Sequence, residues 1–150
     1  MHMHAYGRLA AMIILSFVAM YVLMYAMVDS FANVYSNVNQ VYMAGLMAAP
    51  MALIELLVMA PMYKNKVANV AIIAGSVLTA LALFTLIRQQ ALVGDTQFLR
   101  SMIPHHGGAV LMCGKAPIND AEIKKLCAAI IEGQQSEISQ MKSMLDRLTK

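Results

Sequence analysis

The sequence predicts an all-α protein: three transmembrane helices followed by an αα-hairpin outside the membrane. Three observations lead there. The chain has 150 residues, 60% hydrophobic and only 13% charged, about half the ~25% charge of an ordinary soluble domain. Its first 87 residues contain three apolar runs, each near the ~20 residues that cross ~30 Å of hydrocarbon as a helix. From Arg88 onward the chain changes character: residues 88–150 carry 8 basic and 6 acidic side chains, against 3 and 2 before it. No stretch alternates with period two over a useful length, so strands are not expected.

The first run, residues 9–28, has no charge. It is too long for a signal peptide and no small-residue cleavage site follows it. The second, residues 41–63, is apolar except for Glu55, with Tyr42 and Tyr63 placed as interfacial anchors would be. The third, residues 67–87, is again uncharged. Gly45 and Ala49, and Ala71, Gly75 and Thr79, recur four apart, a spacing that lets helix backbones approach closely in lipid. Arg8, Lys64 and Lys66 flank the spans, while residues 29–40 have no Lys or Arg. The positive-inside rule therefore puts the N-terminus in the cytoplasm. Residues 88–150 then form a periplasmic or extracellular segment, with the chain a multi-pass protein of a bacterial inner (plasma) membrane.

In that segment Gly94-Asp95-Thr96 reads as a break and an N-cap, opening a helix over about residues 96–114. Residues 115–119, with Pro117, form the turn. Asn119 or Asp120 caps a second helix to about Leu148, with Glu122 in its first turn. At ~100° per residue the first helix gathers Phe98, Met102, His105, His106, Ala109, Met112 and Cys113 on one broad stripe. The second gathers Ile123, Cys127, Ile130, Gln134, Glu137, Met141 and Leu145. With the fold at residues 115–119, Cys127 is expected level with His106 and Gln134 nearer Met102. The two cysteines then lie roughly 9 Å out of level by the ~1.5 Å rise, too far for an internal disulfide.

A net charge of +3 is too small and scattered for a nucleic-acid footprint, so no nucleic acid is expected. No nucleophile–base–orienter set and no phosphate-cradling glycine loop is visible, so no enzyme is expected. The inward donors are imidazole, thioether, thiol, one carboxamide and one carboxylate. Soft sulfur with imidazole suits Cu(I), and imidazole also suits Cu(II). Zinc rarely takes thioether, and a di-iron centre wants several inward carboxylates. Cys113 and Cys127 read equally as small buried hydrophobes or soft ligands. Glu137 reads as an acceptor that orients a histidine or as a ligand, and Gln134 likewise as a group supporting the ligands or as an extra ligand.

The segment Met102-Ile103-Pro104-His105-His106, with Met112 and then Ile130-Ile131-x-x-Gln134-x-x-Glu137-Ile138-x-x-Met141, resembles the bacterial family called domain of unknown function 305. The resemblance covers about residues 98–145. It implies a ferritin-like helical fold, periplasmic copper binding through His and Met, and a role in copper or silver tolerance. Carried over residue by residue, the ligands it implies are His105, His106, Met102, Met112 and Met141. One hairpin is half of a four-helix bundle, so a homo-oligomer, a dimer or higher, is expected.

Nine of the 15 methionines lie in the first two spans. Met43, Met47, Met51, Glu55 and Met59 recur every four residues along the second. They read as flexible packing or as an intramembrane path for Cu(I) beside an ionisable residue. Met1-His2-Met3-His4 is a further copper-binding candidate. The expected function is a membrane-anchored protein that captures or buffers copper in homeostasis or tolerance. The alternatives are a Cu(I) transporter using the methionine row, and a structural or assembly subunit without metal.

Overall fold

The structure is a computed structural model that describes residues 2–150, with side chains from Ala5 onward. The Met1–His4 candidate lies outside the described side chains. The described residues form five α-helices and no strand: α1 (His2–Leu23), α2 (Val38–Val58), α3 (Lys66–Gln89), α4 (Asp95–Lys115) and α5 (Ala121–Leu148). Short 3-10 turns sit at Met24–Met27, Phe31–Asn33 and Ala60–Met62. Three helical stretches, Ala5–Met27, Val38–Val58 and Lys66–Gln89, are long and apolar enough to cross a membrane.

The chain forms two compact units. The first comprises residues 1–24 and 39–91. Its packed face is built from small residues: Ala44, Ala48, Ala49 and Ala52 of α2 are buried, and a Cβ on Gly45 would meet Leu83 Cδ1 at 2.8 Å. The missing side chain leaves room there for the tip of Leu83 from α3. The stripe on α3 behaves differently. Ala71, Gly75 and Thr79 are exposed, and nothing lies within 4 Å of a Cβ on Gly75, while Thr79 lines a groove with Ile13 and Phe17 of α1 and Gly45 and Ala48 of α2.

Polar side chains close both ends of this unit. At one end the Tyr6 hydroxyl donates to Asn69 Oδ1 (2.8 Å), and Asn69 Nδ2 donates to the Tyr63 carbonyl (2.8 Å). At the other, Tyr42 donates to the Ala91 carbonyl (3.0 Å) and Gln40 to the Tyr21 carbonyl (3.2 Å). Tyr42 and Tyr63 thus mark the two ends of the second span, but both are buried within the chain rather than set out as anchors.

The second unit comprises residues 25–38 and 92–150. Asp120 caps α5, its Oδ1 accepting from the amides of Glu122 (2.9 Å) and Ile123 (3.0 Å). Gly94, followed by Asp95 in the first turn, opens α4. Helices α4 and α5 run antiparallel around a core of Leu99, Ile103, Ile138, Met141 and Leu145, with Tyr35, Met102 and Val110 packed against it. Helix α4 uses a 3–4 spacing for the contact: Leu99, Ile103, His106, Val110 and Cys113 form the seam toward α5.

A second face of α4 is covered by the segment that precedes α2. Pro104 has no N–H, so the Arg100 carbonyl loses its helical donor. Asn37 Nδ2 approaches that carbonyl at 3.5 Å, and Gln97 Oε1 accepts from the Val38 amide at 3.0 Å. Gly107 and Gly108 are buried on the same face, where a Cβ on Gly107 would fall on Asp29 Oδ1 and within 3.2 Å of Val28 Cγ1. Two adjacent glycines inside a helix each sacrifice about 1 kcal/mol of helix propensity; here Gly107 gives the room for Asp29 to reach the helix. Asp29 is itself held there by Asn33 Nδ2 (2.7 Å).

Candidate functional site

The residues singled out in the hairpin separate into an inner and an outer set. His106 is the inner histidine, 8% exposed. Its Nδ1 is 2.9 Å from the carbonyl of Met102, one turn back on α4, and its Nε2 is 2.7 Å from Glu137 Oε2 on α5. A carbonyl can only accept, so Nδ1 carries a proton and donates to Met102. That fixes the ring and aims Nε2 across the hairpin at the carboxylate, which is 55% exposed. Such a backbone bond on one ring nitrogen is the arrangement that orients a metal-ligating histidine through the other.

Met102 and Met141 join this inner set. Met141 is a buried core residue, and Met102 packs on the same cluster. Met102 precedes His106 by four on α4 and Met141 follows Glu137 by four on antiparallel α5, so each lies one helical turn from its member of the pair. Gln134 is half-buried one turn before Ile138.

His105 and Met112 form the outer set. His105 is exposed, with its ring centroid 6.2 Å from that of His106, and Met112 is 52% exposed. The broad stripe read from the sequence therefore spans two faces, and only part of it points at α5. Among the described residues no three His, Cys, Asp or Glu side chains come together as a metal-holding group. The inner donors are one imidazole nitrogen, one carboxylate and two thioethers, a set that suits a soft monovalent ion better than zinc.

The cysteines correct an expectation. Cys113 and Cys127 form a disulfide, with Cα atoms 5.1 Å apart. The expected offset assumed that both helices end at one level. The backbone is extended at Ala116 and at Asp120, which carries the chain past the end of α4 before α5 begins. Cys127 thereby comes level with Cys113, and Glu137, not Cys127, comes to His106. Bonded to one another, the two sulfurs are not thiolate ligands.

In the first unit Glu55 is half-buried, and its Oε1 accepts a 3.1 Å hydrogen bond from the Tyr63 hydroxyl. Met43, Met47 and Met59 are exposed and Met51 is half-buried, whereas Ala44, Ala48, Ala52 and Leu56 hold the packed face. The methionine row thus runs beside the packed face of α2 and not along it.

Fold and site together define an all-helical protein, over the described residues, with three membrane-length helices and a disulfide-bonded hairpin in which a buried histidine meets a half-exposed glutamate. Residues 76–149 match the model of the family described as domain of unknown function (DUF305), and this half of the chain belongs to that family. The match begins within α3, upstream of the motif. An uncharacterized protein of Acanthamoeba polyphaga mimivirus is 48% identical over 63 residues, 40% of this chain and 41% of that protein. The matched part therefore spans less than half of that relative. No solved structure matches the chain.

Proposed function

We propose that the chain is a membrane-anchored protein whose hairpin captures or buffers copper, as Cu(I) in preference to Cu(II), with silver as a chemical analogue. One observation carries the reading: the buried His106 ring is fixed through Nδ1 on the Met102 carbonyl, which leaves Nε2 facing Glu137, with the half-buried Met102 and the buried Met141 each one turn away. Copper entering here displaces the proton held between Nε2 and the Glu137 carboxylate; that proton passes through the half-exposed carboxylate to solvent, and the ion takes Nε2 and draws on Met102 or Met141. Cu(I) has no need of the hard carboxylate oxygen, so Glu137 acts by holding the ring when the ion is absent.

We place the hairpin outside the cytoplasm and the N-terminus inside. The basic residues support this through the positive-inside rule. The Cys113–Cys127 bond supports it independently, because disulfides persist in oxidising compartments. The test is a Cu(I) titration of the full chain in detergent against a competing chelator, with ascorbate as reductant. The expected result is a saturable site that His106→Ala weakens at least tenfold. Equal affinity in wild type and His106→Ala would overturn the assignment.

A further inference from the structure

The buried core of the hairpin lies at one end. Leu99, Ile103, Ile138, Met141 and Leu145 form it, toward the start of α4 and the finish of α5. Toward the turn the burial stops. No residue is buried from 109 to 115 on α4, or from 121 to 137 on α5. Val110, Ile130 and Gln134 are half-buried there. The disulfide lies in this open stretch. Cys113, in the last turn of α4, and Cys127, in the second turn of α5, have Cα atoms 5.1 Å apart. Both cysteines are half-buried, not enclosed.

The two ends therefore close for different reasons. Apolar burial holds the core end whatever the state of the cysteines. The turn end has no such burial, and short helical segments are marginal in water without it. Stretches of low burial are the ones that open first. Closure of the turn end thus leans on the cross-link, which restricts the chain once it opens. His106 and Glu137 meet at the boundary. Glu137 directly precedes Ile138, where burial on α5 begins, and His106 is the seam residue after Ile103 on α4.

We propose that the Cys113–Cys127 bond is a redox latch on the turn end of the hairpin, released by a dithiol reductant. The half-buried position leaves the bond within reach of such a molecule. One thiolate of the reductant attacks a cysteine sulfur and forms a mixed disulfide, expelling the other cysteine as a thiolate. The second thiolate of the reductant then closes on the first, giving a cyclic disulfide. Two electrons pass to the protein, and two protons leave both cysteines as thiols. The freed turn end opens more often, up to Glu137, while the core end stays packed. Reoxidation by the reverse exchange shuts it.

The consequence for the site rests on the copper reading. Opening withdraws Glu137 from Nε2 of His106, so release of the latch speeds entry and exit of Cu(I) alike. Affinity at His106 is unchanged, because the empty and the loaded closed forms lose the same restraint.

The experiment is hydrogen exchange of the full chain in detergent, before and after dithiothreitol without denaturant, with thiol alkylation to count the reduced chains. Dithiothreitol is expected to reduce the folded chain. Amides of residues 109–137 are then expected to exchange at least tenfold faster than before, and at least tenfold faster than those of residues 99–106 and 138–145. Reoxidation is expected to restore the first pattern. Cys113→Ser with Cys127→Ser is expected to exchange like the reduced chain, and it offers no thiol to a metal. In stopped-flow transfer of Cu(I) from a chelator, that variant is expected to load and release at least tenfold faster than oxidised wild type at equal affinity. A bond that yields only in denaturant overturns the latch. So does a reduced chain whose turn end exchanges no faster than before, or only together with the core end. Faster exchange with unchanged Cu(I) rates overturns the gating of the site and leaves the latch standing. A chain that binds no Cu(I) removes the copper reading, and hydrogen exchange alone then decides the latch.

Discussion

Nε2 of His106 lies 2.7 Å from Oε2 of Glu137, across the two helices of the hairpin. The ring is buried and bonded on its other nitrogen, whereas the carboxylate is half open to solvent. The two members of the pair therefore differ in what their removal does. Glu137→Gln keeps an amide that can face Nε2, and Cu(I) affinity is expected to stay within threefold. His106→Ala removes a nitrogen donor and leaves the Met102 carbonyl without its side-chain partner. It is expected to lower Cu(I) affinity at least tenfold and stability by about 1–3 kcal/mol. Chelator competition and thermal unfolding of both variants check this.

The Cys113–Cys127 bond closes a loop with a sequence separation of 14. A loop of that length contributes about 3 kcal/mol through the unfolded chain. Replacing both cysteines by serine is expected to destabilise the hairpin by about that amount. Cu(I) affinity is expected to be unchanged at temperatures where the variant is folded, because neither sulfur is a ligand. Hydrogen exchange of α4 and α5 amides measures the first effect and titration the second.

Gly107 is a position where a methyl group has no room, because Asp29 and Val28 occupy the space. Gly107→Ala is expected to cost about 1–3 kcal/mol, as overpacking does, and to loosen the 25–38 segment. Gly114 lies in the same helix with nothing within 4 Å of a Cβ. Gly114→Ala is expected to stabilise by up to about 1 kcal/mol through helix propensity. Opposite shifts in unfolding temperature distinguish a packed glycine from a merely permissive one.

In the first unit Tyr63 supplies a hydrogen bond to Glu55. Tyr63→Phe leaves that carboxyl group without this donor in an apolar span and is expected to destabilise by about 1–3 kcal/mol. Tyr63→Phe combined with Glu55→Leu is expected to recover part of the loss. Thermal unfolding of the two variants in nanodiscs measures it.

The helices were legible because their signals are local. Uncharged runs mark the membrane-length helices, and Asp120 before Ala121-Glu122 marks the start of α5. The pairing of α4 with α5 was not legible, because it depends on how far the chain travels between Lys115 and Ala121. A backbone extended at both ends of that linker changes the level of every partner beyond it. The stripe on α4 was also too broad to resolve: at ~100° per residue Met102 lies between His105 and His106 in angle, and only the position of α5 says which of the two histidines faces the core. The covering segment from residue 25 to 38 left two traces that can be read in hindsight. Pro104 orphans the Arg100 carbonyl, and a Gly-Gly pair in a helix interior signals a close neighbour.

The most direct measurement is the copper K-edge absorption spectrum of the full chain loaded with one equivalent of Cu(I), recorded for wild type and His106→Ala. Wild type is expected to show imidazole nitrogen together with thioether sulfur around the metal, with the imidazole contribution reduced in His106→Ala. A wild-type spectrum without imidazole, or one that His106→Ala leaves unchanged, would contradict copper capture at this hairpin.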